Sequence, residues 1–154
     1  MRHAIDSRIR SLDAFFKRAA DPQISDEIRA DLARYGAVLV CGFIERSVEV
    51  IILERLKSRA HPRVINFVSA WFKKGTNYDC DAICQLFERF DTLWSRRFRD
   101  FMDKNARVVS SVDSVYTLRN SIAHGGDQNR GLAGVKSLYA DARDVVEAMI
   151  VATG

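Results

Sequence analysis

The feature that most constrains the fold is the long interval between Pro22 and Pro62, the only two prolines of the chain. Ser25 is a suitable N-cap residue near the start of this interval, and His61 with Pro62 closes it. The interval therefore predicts one long helix that runs to about Arg59. Apolar residues occur on all sides of this helix, which is typical of a helix buried in a bundle or packed against a second subunit.

Apolar residues spaced three and four apart predict further helices before and after this long one. The first carries Ile5 to Ala19, and a polar loop at 127–131 precedes the last, which carries Val135 to Ile150. The intervening helices are expected at 63–72, at 79–90, at 91–105 and from a cap at Ser110 or Ser111 to the glycines Gly125 and Gly126. No strand pattern competes. The 154 residues thus predict one all-α domain over 1–154, a bundle of about six to seven helices with a long central second helix.

Composition narrows the class of protein. The chain has 24 Lys and Arg against 20 Asp and Glu, a net charge of +4, which permits a nucleic-acid partner without demanding one. The longest uncharged stretch, Tyr35 to Ile44, is too short to cross a bilayer. Charges at Arg2 and Asp6 interrupt the apolar core that a signal peptide needs. We expect a soluble, cytoplasmic protein that makes no membrane contact.

Cysteine spacing does not indicate a metal centre. Cys41 lies in an apolar run and is expected to be a small core residue. Cys80 and Cys84 are four apart on a predicted helix, but no third and fourth ligand accompanies them at a metal-binding spacing. The sequence therefore predicts neither a metal nor a cofactor.

Charged residues on apolar helix faces need an explanation. Glu45 and Glu49 fall on an apolar stripe of the long helix, and Arg119 falls in the middle of the inward stripe of the sixth helix. An unpaired charge in such a place is unfavourable. One interpretation is a buried ion pair of Arg119 with Glu45 or Glu49 that only fixes helix packing.

The segment from Leu118 to Gly125 suggests a chemical role instead. Asn120 and His124 are four apart, so they are neighbours on one helix face and are able to hydrogen-bond. His124 ends the helix beside two glycines, which leave room for a bulky ligand. The long side chain of Arg119 reaches past the helix edge. An imidazole, an amide and a guanidinium are therefore expected near one helix terminus.

This stretch resembles the R-x4-H signature of HEPN domains, and most closely their bacterial RiboL-PSP-HEPN-like branch. The run Arg119-Asn120 followed by His124-Gly125 matches that pattern, and Glu45 matches an acidic position that many members carry. The resemblance implies a helical bundle that forms a homodimer with two motifs in one cleft. It also implies a metal-independent endoribonuclease acting on RNA, of the kind found among bacterial toxins and phage-defence effectors, with an antitoxin or defence-system partner protein.

The chemistry that the resemblance implies suits these residue types. RNA supplies its own nucleophile, the 2′-OH, so the protein needs a proton acceptor, a proton donor and stabilisation of charge. Histidine exchanges protons near neutral pH, which suits His124 to acid–base work. Arg119 would stabilise charge on the phosphate. Asn120 would orient His124 or the phosphate, and Glu45 would hold Arg119 or His124 in place.

One feature departs from part of the HEPN family. One HEPN group carries a tyrosine two residues after the histidine, where this chain has Gly126, so silencing by modification of that tyrosine is not expected.

The alternative function is a non-catalytic interaction or RNA-binding module in which Arg119 and Glu45 are core partners. The basic runs at 73–74 and 96–99 are interpreted as solvated helix faces, with contacts to an RNA backbone as the alternative.

Overall fold

A computed structural model describes residues 1–57, 59–73, 75–126 and 130–154 of the chain. Within these ranges the protein is all-α, as predicted, with no strand and no helix that combines the length and apolarity of a membrane span. Most of the predicted loop at 127–131 lies outside the described residues. The described helices are α1 (Arg2–Ala19), α2 (Asp26–Leu56), α3 (Pro62–Phe72), α4 (Cys80–Phe90), α5 (Thr92–Lys104), α6 (Ala106–Ala123) and α7 (Leu132–Ala152).

Local capping explains where most of these helices begin. The side chains of Ser25, His61, Asp79 and Asp91 each accept a hydrogen bond from a backbone N–H two or three residues later. Each bond satisfies one of the N–H groups that a helix N-terminus leaves without an intrahelical partner. Pro62 opens α3 at the position where a missing N–H does no harm.

The start of α6 differs from the prediction. The helix begins at Ala106, so neither Ser110 nor Ser111 caps it. Val108 is buried and extends the apolar stripe of α6 by one turn, which favours the longer helix. The hydroxyl of Ser111 instead donates a hydrogen bond of 2.5 Å to the carboxylate of Asp141 on α7. A tertiary contact has therefore replaced the local cap.

Helix α2 is central to the bundle, as its apolar composition predicts. It packs against α1, α3, α6 and α7, and Val40, Ile44 and Ile52 are completely buried. One side of its first half is open, because Tyr35 is 55% exposed and Val38 is 39% exposed. The ring of Tyr35 packs edge-on against Phe15 of α1, at 5.7 Å between centroids, and still leaves this side largely exposed.

A buried carboxylate ties α6 to α7. Asp141, which is 4% exposed, accepts two hydrogen bonds from Arg107, of 2.9 and 2.7 Å, besides the bond from Ser111. Burial alone would raise the pKa of Asp141, but the hydrogen bonds from Arg107 and Ser111 outweigh burial and lower it. This contact fixes the N-terminal part of α6, the helix that carries the R-x4-H motif.

Candidate active site

Backbone geometry places His124 at the C-terminus of α6. The N–H of Gly126 donates to the carbonyl of Ser121 at 2.8 Å, and the N–H of Gly125 donates to the carbonyl of Ile122 at 3.2 Å. These bonds form a Schellman motif, in which Gly125 takes a positive φ of 72° that other residues rarely adopt. The predicted end of this helix is confirmed.

The same turn explains why Gly126 has no side chain. A Cβ atom at this position would lie 2.5 Å from the Oγ atom of Ser121 and 3.2 Å from its carbonyl oxygen. Any larger residue would require Ser121 to move. The imidazole of His124, by contrast, is exposed and makes no side-chain hydrogen bond or ion pair with a described residue. It is open to a ligand.

Two amide oxygens hold the guanidinium of Arg119. Its Nη1 atom donates to Oδ1 of Asn77 at 3.1 Å and to Oδ1 of Asn120 at 3.2 Å. Asn77 comes from the connector between α3 and α4, so this contact joins the connector to α6. The remaining N–H groups of the guanidinium make no hydrogen bond to the described residues. Among the described residues they are available to an anion.

The buried ion pair considered from the sequence is not formed. Within the described residues, Arg119 has no carboxylate within 4.0 Å, and Glu49 pairs with Arg46 on its own helix. The reason is that the inward stripe of α6 leaves the core near its C-terminus. Val115 is completely buried, whereas Arg119 is half-buried and Ala123 is exposed.

The charge of Arg119 nevertheless affects the pKa of Glu45. This carboxyl is half-buried, and burial raises its pKa, while the positive charges of Arg119 and Arg46 act in the opposite direction. The effect of burial is the larger one. Glu45 is therefore an electrostatic neighbour of Arg119 that does not contact it.

The structure thus brings only some of the predicted site residues into direct contact. Arg119 and Asn120 are in contact, Glu45 lies within electrostatic range, and the backbone N–H of His124 donates to the Asn120 carbonyl at 3.1 Å. The expected hydrogen bond between the side chains of Asn120 and His124 is absent from the described residues, and Oδ1 of Asn120 accepts from Arg119 instead. Sequence reasoning missed Asn77, which lies 42 residues before Arg119 and carries no local signal.

A cleft lies between α2 and the α3–α4 connector. It has a volume of about 270 Å³ and is lined mainly by Glu45, Arg46 and Glu49 of α2 and by Phe72, Lys73 and Thr76 around the connector. Gly75 and Tyr78 complete the lining. Because Thr76 and Tyr78 flank Asn77 in the chain, the segment that lines the cleft is also the one that binds Arg119.

The cysteines are buried residues of the core. Cys41 is 2% exposed and its Sγ atom lies 3.7 Å from the carbonyl oxygen of Val115, so its predicted core position is confirmed. Cys80 and Cys84 are also buried, and Cys84 contacts the hydroxyl of Ser95 at 3.2 Å. Across the described ranges no three His, Cys, Asp or Glu side chains cluster as a metal site would require.

Comparison with known proteins identifies the family. The family model for RiboL-PSP-HEPN matches residues 3–152, nearly the whole chain, and the chain belongs to this family. No curated protein and no solved structure matches it significantly. Membership supports a role in RNA cleavage or nucleotide binding. The R-x4-H residues lie at the C-terminal end of α6.

Proposed function

We propose that this protein is a metal-independent endoribonuclease that cleaves RNA by attack of the 2′-OH and acts as a homodimer. The observation that carries the proposal is the end of α6. There a guanidinium held by two amide oxygens keeps free N–H groups, and an exposed imidazole lies a little more than one turn further along the helix. A cation for the phosphate and a group for proton transfer are thus presented together.

The reaction is a transesterification. A base removes the proton of the 2′-OH, the 2′-oxygen bonds to the adjacent phosphorus, and the bond to the 5′-oxygen breaks as that oxygen accepts a proton. The products are a 2′,3′-cyclic phosphate and a 5′-OH. His124 is the residue we assign to proton transfer, because imidazole both accepts and donates protons near neutral pH.

Arg119 is assigned to the phosphate. Its free N–H groups would donate to the non-bridging oxygens, where negative charge increases in the transition state. Asn77 and Asn120 bind Nη1 of the guanidinium and so act as positioning residues. Glu45 attracts the same guanidinium from α2 without contact.

A dimer would supply the second proton-transfer group. One imidazole cannot act as base and acid in the same step, so a second copy of His124 in a shared cleft completes the site. The open side of α2 suits this contact, because Tyr35, Val38 and Gly42 line an apolar groove of about 480 Å³ beside α1. Glu45 follows them at helical spacing on the same helix, so a contact along this side would approach the site.

Cleavage of RNA by the purified full chain tests the proposal. We expect His124→Ala to slow cleavage by about 10² or more, the usual contribution of positioned acid–base catalysis. His3→Ala is the matched control, since His3 is also exposed but lies on α1. Cleavage should persist in EDTA. Protein that binds RNA without cutting it would support the non-catalytic module instead.

Family membership is the observation that supports a biological setting. We propose a bacterial toxin or phage-defence effector whose activity a partner protein controls. Co-expression with candidate partner proteins, scored by RNA integrity and cell growth, tests this role. A chain that cleaves RNA in vitro but neither slows growth nor alters phage infection would contradict it.

A further inference from the structure

The cleft between α2 and the α3–α4 connector has a chemical character that the proposed reaction does not use. It combines an aromatic wall at Phe72, carboxylates at Glu45 and Glu49, a guanidinium at Arg46, a hydroxyl at Thr76 and an ammonium at Lys73. Its volume of about 270 Å³ is small for a drug-sized ligand and suits one planar ring system. Such a mixture of acceptors, a donor and a flat apolar surface is typical of sites that bind a single base.

Position links this cleft to the scissile phosphate. Thr76 and Tyr78 line it, and Asn77 between them holds Arg119 at 3.1 Å. A phosphate bound to Arg119 would therefore lie next to the connector residue whose two chain neighbours line the cleft.

We propose that the cleft binds the base of the nucleotide next to the scissile phosphate and selects guanine, with Glu49 and Lys73 reading its edge. This inference rests on the proposed function. It adds the substrate preference of that same site.

Hydrogen-bonding chemistry favours guanine. Its pairing edge presents two adjacent donors, N1–H and the N2 amino group, which one carboxylate accepts together, and its O6 accepts from a cation. Glu49 is suited to this because it is fixed by its ion pair with Arg46 and still has lone pairs to offer. Uracil presents carbonyl oxygens on both sides of one N–H, so the same carboxylate would repel it. Phe72 would stack on the ring.

Phe72 is itself held in place by aromatic neighbours. Its ring centroid lies 5.2 Å from that of Trp71 and 6.2 Å from that of Tyr78. The stacking surface at the end of α3 is therefore ordered before RNA binds. This pre-organisation favours selective binding.

The test measures cleavage of four RNA oligonucleotides that differ only in the base beside one cleavable linkage. Wild-type protein should cleave the guanine substrate about tenfold faster than the uracil substrate, the discrimination of one good base-edge contact. Glu49→Gln should remove this preference, because it slows cleavage of the guanine substrate and relieves the repulsion of uracil. Lys73→Ala, at an exposed residue, should reduce the preference in the same way.

Glu54→Gln is the matched control. Glu54 also lies on α2 and also pairs with a cation three residues away, Lys57, but it lies outside the cleft. It should keep the wild-type preference. Equal rates on all four substrates, a preference for uracil, or a preference that survives both cleft variants would each overturn the proposal.

A binding measurement separates this inference from the proposed function. Guanosine 5′-monophosphate should shift the backbone amide signals of Thr76 and Tyr78 in an NMR titration of the full chain, and uridine 5′-monophosphate should shift them much less. If wild-type protein cleaves no RNA, the proposed function fails while these shifts still support the cleft. If neither nucleotide shifts the two signals, the cleft assignment fails even where cleavage is observed.

Discussion

Asn77 offers a sharp test because it lies outside the motif and acts through another residue. Its side-chain oxygen accepts a hydrogen bond of 3.1 Å from Arg119. Hydrogen bonds to charged groups contribute about 1.5–3 kcal/mol, but this contact is solvent-exposed, so about 1 kcal/mol is expected. Asn77→Ala should therefore lower kcat about fivefold. KM should change little, since RNA contacts elsewhere remain.

A double-mutant cycle with Arg119→Ala shows whether Asn77 acts through Arg119. In that background Asn77→Ala should cause no further loss, because the group that it positions has been removed. Asn66→Ala is the control, an exposed asparagine on α3. Asn77→Asp should reduce cleavage more than Asn77→Ala, since a carboxylate would neutralise Arg119 and repel phosphate. Losses that multiply in the double variant, or no loss at all from Asn77→Ala, would refute the reasoning.

Three further predictions concern stability and assembly. Asp141→Ala should lower the free energy of unfolding by about 2–3 kcal/mol, because three hydrogen bonds to a buried carboxylate are lost; a loss no larger than that of the exposed Asp144→Ala would contradict this. Burial raises the pKa of Glu45 from its ordinary value of 4.5, so the folded chain holds this proton more tightly than the unfolded chain. The free energy of unfolding should therefore fall as the pH rises from 4.5 through the folded-state pKa of Glu45. Chemical denaturation of Glu45→Gln should not show this fall. Wild-type and Glu45→Gln protein whose free energies of unfolding change with pH in parallel would refute the prediction. Wild-type protein should elute and scatter light as a species of twice 17.5 kDa, and Val38→Glu on the open side of α2 should give a monomer; a monomeric wild type would count against the dimer.

The helices were predictable because their signals are local. Spacing of apolar residues gave each buried face, and Ser25 and Asp79 gave helix starts that the structure confirms by their hydrogen bonds. The predicted start of α6 was wrong because of a tertiary contact. Serine is a suitable N-cap residue, but the hydroxyl of Ser111 donates a hydrogen bond to Asp141, 30 residues later. Sequence alone gives no sign of such competition.

Sequence spacing predicted which candidate site residues lie close together only where they are within one or two turns of the same helix. Arg119, Asn120 and His124 share the end of α6, so their proximity follows from helical spacing. The partner of Arg119 does not, since Asn77 reaches it from a connector whose course depends on how α3 and α4 pack. The expected contact with Glu45 failed for a related reason. Helical spacing gives the face on which a residue lies but not the point at which that face leaves the core.

The chemical identity of the cut ends tests the central claim most directly. Wild-type protein, incubated with a defined RNA in EDTA, should yield 5′ fragments whose mass corresponds to a 2′,3′-cyclic phosphate and 3′ fragments that begin with a 5′-OH. His124→Ala should produce both at a rate lower by about 10². Fragments that end in a 3′-OH, or cyclic-phosphate ends formed equally well by His124→Ala, would contradict the account.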